Sequence, residues 1–237
     1  ATSRIWHDGR QASLTQYRAD ARKLWTLSRW AFVGSVMGWI GNNAYLYLSS
    51  LVLDVSATAE LNAGRLLLIP VGLLSVAWGR VALPAASQIA GRQDWPALDR
   101  FGYKSASAIL LLSACFVVAL LALLPWLQEH LLGAKYHNVS AVVPFWSAYF
   151  LINGVRLVST TLLMATGAFK VLFVQGSVSL GVLLIGCALL IPRYGVSGAI
   201  AAMILVETLE LLTNHLLLLP RARKGPVDVP SKASDDA

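Results

Sequence analysis

The chain has 237 residues, of which 57% are hydrophobic and only 13% charged, with a mean hydropathy of +0.63. A soluble domain carries roughly a quarter charged residues, so this balance excludes an ordinary soluble fold and disorder along most of the chain. The formal charge of +7 has a simple explanation at the cytoplasmic ends of membrane helices, and no nucleic-acid motif competes with it.

The first segment, residues 1–29, differs in kind from the rest of the chain. Arg4, Arg10, Arg18, Arg22, Lys23 and Arg29 are interleaved with Trp6, Leu14, Tyr17, Leu24, Trp25 and Leu27. That pattern predicts a partly amphipathic cytoplasmic helix lying in the headgroup region. No positive start, apolar stretch and cleavage site mark a signal peptide. The sequence also lacks an initiator Met, so a processed or excised piece is the expectation.

Six membrane spans are predicted over residues 30–220. A crossing helix needs roughly 20 residues for a hydrocarbon core of about 30 Å. The apolar runs are continuous and do not alternate, which favours helices over a barrel. The spans fall at about Trp30–Leu53, Ala63–Ile89, Ala106–Leu127, Val139–Met164, Phe169–Ile191 and Val196–Leu219. Residues 221–237 form a polar cytoplasmic tail, predicted to be disordered from Gly225 onward. The fold class is therefore an all-α integral membrane protein, a six-transmembrane-helix bundle.

Basic residues set the topology. One side collects the front segment, Arg80, Arg92, Arg100, Lys104, Lys170, Arg221, Arg223 and Lys224, and the other only Arg65, Lys135 and Arg193. The positive-inside rule then places both termini in the cytoplasm. An even number of spans requires the same. Pro70, Pro84 and Pro144 fall inside spans, where each removes a helical hydrogen bond and predicts a bend. Transporters use such breaks as gates, although ordinary packing of membrane helices also tolerates them.

Polar groups inside the spans mark candidate sites. Arg156, after Asn153 and Gly154 near the middle of span four, must face protein or water, since a charge there costs at least about 2.5 kcal/mol. It lines a cavity for a phosphate-like anion, or it forms a buried salt bridge. Glu207 and Glu210, three apart on span six, share a helix face. They could neutralise Arg156, carry a proton, bind a cation such as Na+, or brace the bundle. Asn42, Asn43 and Tyr45, together with Tyr47, put polar groups into span one, for the same cavity or for interhelical hydrogen bonds. Asp54 is expected at the outer mouth and His215 near the cytoplasmic end.

Trp30, Trp95, Trp126 and Tyr194 read as interfacial anchors, and Trp78 as a less easily dismissed aromatic. Cys115 and Cys187 read as small core residues, not as a disulfide or metal set. No phosphate loop, zinc motif or nucleophile elbow occurs, so neither an enzyme nor a bound cofactor is indicated.

The order of motifs carries a resemblance. Gly41-Asn42-Asn43-Ala44-Tyr45-Leu46-Tyr47 comes after the amphipathic stretch, and a proline-bent span ends in Val81-Ala82-Leu83-Pro84-Ala85-Ala86-Ser87. Gly91-Arg92-Gln93-Asp94, Asp99-Arg100, Pro125-Trp126 and Leu132-Gly133-Ala134-Lys135-Tyr136 come next. Pro192-Arg193-Tyr194-Gly195-Val196-Ser197-Gly198-Ala199 then precedes the last span, and is the most specific piece. Residues 1–220 resemble the C-terminal half of a polysaccharide or O-antigen flippase of the multidrug/oligosaccharidyl-lipid/polysaccharide exporter superfamily.

That resemblance implies one lobe of a two-lobed, alternating-access transporter in the bacterial inner membrane. It implies an undecaprenyl-pyrophosphate-linked oligosaccharide as cargo, with H+ or Na+ coupling. It further implies membrane lipids as partners and a second six-helix lobe, covalent or on another chain. Arg156, Asn42, Asn43, Tyr45 and Asn153 are then the expected substrate contacts, and Glu207 and Glu210 the ion-coupling pair. A multidrug or cation exporter lobe and a non-transporting membrane assembly subunit stay open as alternatives.

Overall fold

A 39-residue helix, α1 (Leu14–Val52), leads the computed structural model, which describes residues 14–132 and 139–224. It is followed by α2 (Val55–Leu67), α3 (Ile69–Gly91), α4 (Trp95–Leu127), α5 (Val139–Ala165), α6 (Phe169–Thr213) and α7 (Leu219–Lys224). Every element among the described residues is helical. Wide π turns extend α4 over Gln128–Leu132 and join α6 to α7 over Asn214–Leu218.

Local chemistry sets the boundaries. Asp54 starts α2 by accepting from the Ala57 amide at 2.7 Å, and Asp94 starts α4 by accepting from the Ala97 amide at 3.0 Å. Each carboxylate satisfies an amide that the first helical turn leaves without a partner. Gly167, at φ +77°, reverses the chain between α5 and α6. Asp54 thus has a structural task that the sequence did not indicate.

α6 is two helices in a hairpin. The continuous apolar stretch Phe169–Ala222 has 54 residues, which would extend roughly 80 Å if straight. It breaks at Gly195, whose φ of 59° and ψ of −135° are not helical. A methyl group on Gly198 would lie 2.2 Å from the Leu190 carbonyl oxygen, and one on Gly186 would lie 3.2 Å from Ala202. Gln175 on the first arm donates to Asn214 beyond the second at 2.9 Å. These pairs run in opposite directions along the sequence, so the arms are antiparallel.

α5 is the central helix. Gly64 and Gly72 approach Trp146 and Phe150, Gly79 approaches Thr161, Gly102 approaches Leu162, and Gly154 approaches Ile109. From these pairs, α2 and α3 run parallel to α5 and α4 antiparallel to it. One core cluster joins Tyr45, Leu61, Val71, Leu124, Val139, Trp146 and Ile191, and a second joins Ala90, Leu98, Leu162, Leu219 and Ala222. The turns bearing Arg92, Lys170 and Arg221 gather around the second cluster, at one end of the bundle.

The outer faces are apolar. Phe32, Trp39, Leu51, Val81, Leu111 and Val118 are all exposed, which suits hydrocarbon and not water. Four helical stretches among the described residues are long and apolar enough to cross a membrane: Ile69–Gly91, Trp95–His130, Val139–Ala165 and Phe169–Ala222. α1 does not reach that measure, because Asn42 and Asn43 dilute its apolar run.

The structure corrects three expectations. Pro70 does not bend a continuous span: the break precedes it, at Leu68, and Pro70 sits in the first turn of α3, where its missing N–H has no cost. Pro84 and Pro144, by contrast, lie inside unbroken helices. Cys187 is buried, but Cys115 is exposed and not a core residue. The predicted boundary at residue 29 falls within α1, which is continuous through it. The front residues 1–13 and the tail beyond Lys224 lie outside the described residues, and residues 221–224 are helical.

Candidate functional site

α5 carries Arg156 into contact with the second arm of α6, which runs parallel to it. The Arg156 Nε donates to Oε2 of Glu207, and its Nη1 lies 3.0 Å from Oε2 of Glu210. Asn153, one turn earlier, donates to the same Glu207 oxygen at 3.1 Å. All three charged side chains are mostly buried, with Arg156 and Glu210 each 16% exposed and Glu207 11%. The helical spacing of three residues puts both carboxylates toward one guanidinium. An unpaired charge at such a place would be costly, and the pairing reduces that cost.

A second cation stands on α2. Arg65 donates from Nη1 to the Tyr45 hydroxyl and from Nη2 to the Asn42 side-chain oxygen, both at 2.9 Å. Its guanidinium carbon lies 5.4 Å from the Tyr45 ring centroid and 5.9 Å from that of Trp146. Trp146 is itself fixed by donating Nε1 to the Leu61 carbonyl at 3.0 Å. The acceptors of Arg65 among the described residues are neutral, so these bonds orient its charge without cancelling it.

Both arginines line one open-sided cavity of about 1030 Å³. Asn42, Asn62, Tyr149, Asn153, Gln175 and the two glutamates contribute polar surface, while Gly34, Gly38, Leu73, Leu180 and Met203 contribute apolar wall. The volume is at the upper end for a small-molecule pocket, and its mixed lining suits a charged headgroup carried on an apolar chain. Beyond the glutamates, the fully buried Asn214 donates to Ser159 at 2.9 Å and accepts from Gln175. That network ties α5 to both arms of α6.

The expected site residues divide into two groups. Arg156, Asn42, Asn153, Glu207 and Glu210 line the cavity. Asn43 does not: its amide donates back to the Trp39 carbonyl at 2.8 Å on its own helix. Tyr45 is fully buried behind Arg65 and acts on the cavity through it. Trp78 stacks on Phe101 at 6.3 Å, and the exposed His215 lies in the π turn, away from the cavity lining.

Sequence reasoning missed Arg65, which charge counting had assigned to the outer surface. A usable signal existed in Asn62 and Arg65, three apart on one face and opposite a span already rich in Asn and Tyr. Tyr149, Gln175 and Asn214 were also missed, since no spacing rule links them across helices.

A family profile described as "Lipid II flippase MurJ" matches residues 7–228. It specifies lipid II flippases, not the polysaccharide or O-antigen flippases that the motifs resembled. No curated protein and no solved structure matches significantly.

Proposed function

Because the chain belongs to the lipid II flippase MurJ family of the same exporter superfamily, we propose that it forms one lobe of an alternating-access flippase for a polyprenyl-pyrophosphate-linked saccharide. The family is one of transporters in the inner membrane, and its name makes lipid II the favoured cargo. An O-antigen or other polysaccharide unit carries the same pyrophosphate and is the nearest alternative.

One observation carries the reading. Arg65 projects a charge held by neutral acceptors into a cavity large enough for a headgroup. The pyrophosphate is placed against Arg65 and Asn42, with Asn153 and Arg156 on the sugar side, while the polyprenyl chain stays in the bilayer. A cationic drug as cargo is less well served, because both cavity carboxylates already engage Arg156. A purely scaffolding role leaves the open cavity without a purpose.

In this reading α1 crosses once, α2 and α3 together cross once, α4 and α5 each cross, and the arms of α6 cross separately, giving six crossings with both termini cytoplasmic. A second lobe closes the cavity, and Glu207 or Glu210 couples the cycle to an ion. The test is competitive binding to the native protein in lipid nanodiscs. Lipid II should displace a fluorescent lipid II, and a small organic cation should not. Displacement by the cation alone overturns the anionic-cargo reading, and equal displacement by an O-antigen lipid overturns the preference for lipid II.

A further inference from the structure

Four amide side chains line the cavity: Asn42, Asn62, Asn153 and Gln175. Three of them are engaged. Asn42 accepts from Arg65 through its side-chain oxygen, Asn153 donates to Glu207, and Gln175 donates to Asn214 and to the Glu210 carbonyl. The Asn62 side chain makes no hydrogen bond among the described residues, and the residue is only half-buried.

Asn62 stands one helical turn before Arg65 on α2. Residues three apart on a helix are surface neighbours, with Cβ atoms about 5–6 Å apart. Even so, the guanidinium donates across to Asn42 and Tyr45 on α1, and not to Asn62. It keeps further N–H donors to give. The Asn42 oxygen is turned to Arg65, which leaves the NH2 group of that amide as a donor. Two helices thus bring the guanidinium and two amides to one part of the cavity, and the Asn62 amide is the one with nothing bound.

We infer that Asn62 donates to the second phosphoryl group of a diphosphate whose first phosphoryl group is seated on Arg65 and Asn42, and so sets a preference for diphosphate over monophosphate. A single phosphoryl group finds its donors in Arg65 and Asn42. A diphosphate brings more charge and more acceptor oxygens into a half-enclosed site, and each acceptor taken from water without a new donor is costly. The Asn62 amide can turn its NH2 end to that second group without giving up a bond. The inference deepens the transport reading, and rests on it for a polyprenyl-linked cargo.

The test is calorimetric titration of the native protein in lipid nanodiscs with farnesyl diphosphate and farnesyl monophosphate, with empty nanodiscs subtracted. The two probes share one chain and carry no sugar. The wild type is expected to bind the diphosphate more tightly. Asn62→Leu, close in size, should weaken diphosphate binding about tenfold, the scale of a hydrogen bond to a charged group. Its monophosphate binding should be unchanged, which also shows that the variant is folded. Asn62→Ala should repeat the result without added apolar bulk, and Asn62→Asp, which sets a carboxylate against the anion, should weaken the diphosphate further. Arg65→Gln should weaken both probes. No preference in the wild type, an equal loss of both probes in the leucine and alanine variants, or no loss of either overturns the inference. A loss confined to lipid II overturns it too, and assigns the amide to the saccharide. Translocation of lipid II by the same wild-type preparation separates the two claims: the expected preference without translocation removes the transport reading and leaves the diphosphate subsite standing.

Discussion

The guanidinium of Arg65 lies 2.9 Å from the hydroxyl of Tyr45, and the tyrosine carries no formal charge to neutralise it. Tyr45 is fully buried, 5.5 Å from the ring of Trp146, so the hydroxyl is a fixed point and not a mobile one. The arginine is therefore aimed before any anion arrives. Such preorganisation lowers the ordering cost of binding.

Removing the aim should weaken binding without removing the charge. Tyr45→Phe is expected to reduce affinity for a lipid-linked pyrophosphate a few-fold, in line with one neutral hydrogen bond of about 0.5–1.5 kcal/mol. Arg65→Gln should cost tenfold or more, since hydrogen bonds to charged groups contribute about 1.5–3 kcal/mol. Equilibrium titration with a fluorescent lipid II checks both. Equal losses in the two variants would show that Tyr45 does more than orient Arg65.

The hairpin at Gly195 supplies a stability test. A Cβ at Gly198 meets the backbone of Leu190, which no rotamer change can move aside. Gly198→Ala should destabilise the protein by about 1–3 kcal/mol and lower the midpoint of thermal unfolding in detergent. Gly176 has nothing within 4 Å of its added methyl, so Gly176→Ala should leave the midpoint almost unchanged.

Trp146 joins α5 to α2 beneath Arg65. Trp146→Phe keeps an aromatic ring but loses the buried bond to the Leu61 carbonyl. The expected loss is about 1–3 kcal/mol, read from the same unfolding midpoint. Binding should weaken too, because the ring under the guanidinium changes. A stability loss with unchanged affinity would confine Trp146 to packing.

Asn214 offers a third position of this kind. It is fully buried and links Ser159, Thr160 and Gln175. Asn214→Leu leaves these groups to find other partners and should destabilise the protein by about 1–3 kcal/mol. Hydrogen exchange should rise in 169–180 and 207–218 before it rises in α4.

Much of the fold was legible because apolar length and turn residues are local signals. The predicted start at Phe169 is that of α6, and the turn at Pro192–Gly195 is where the hairpin reverses. The break at Leu68 was not legible: Leu66, Leu67, Leu68 and Ile69 contain no breaker, and Pro70 suggested a kink where it begins a helix. In the site, Arg156 and the glutamates were visible as charges in apolar runs. Arg65 was hidden, because its partners Asn42 and Tyr45 lie on another helix. Asn43 was over-read, since a polar residue in a span can return its hydrogen bond to its own backbone.

The most direct test of the central claim is translocation of fluorescent lipid II by the native protein in proteoliposomes, wild type against Arg65→Gln. The account expects transport by the wild type and a loss of tenfold or more in the variant, with equal reconstitution of both. No translocation by the wild type, or an undiminished rate in the variant, would contradict it.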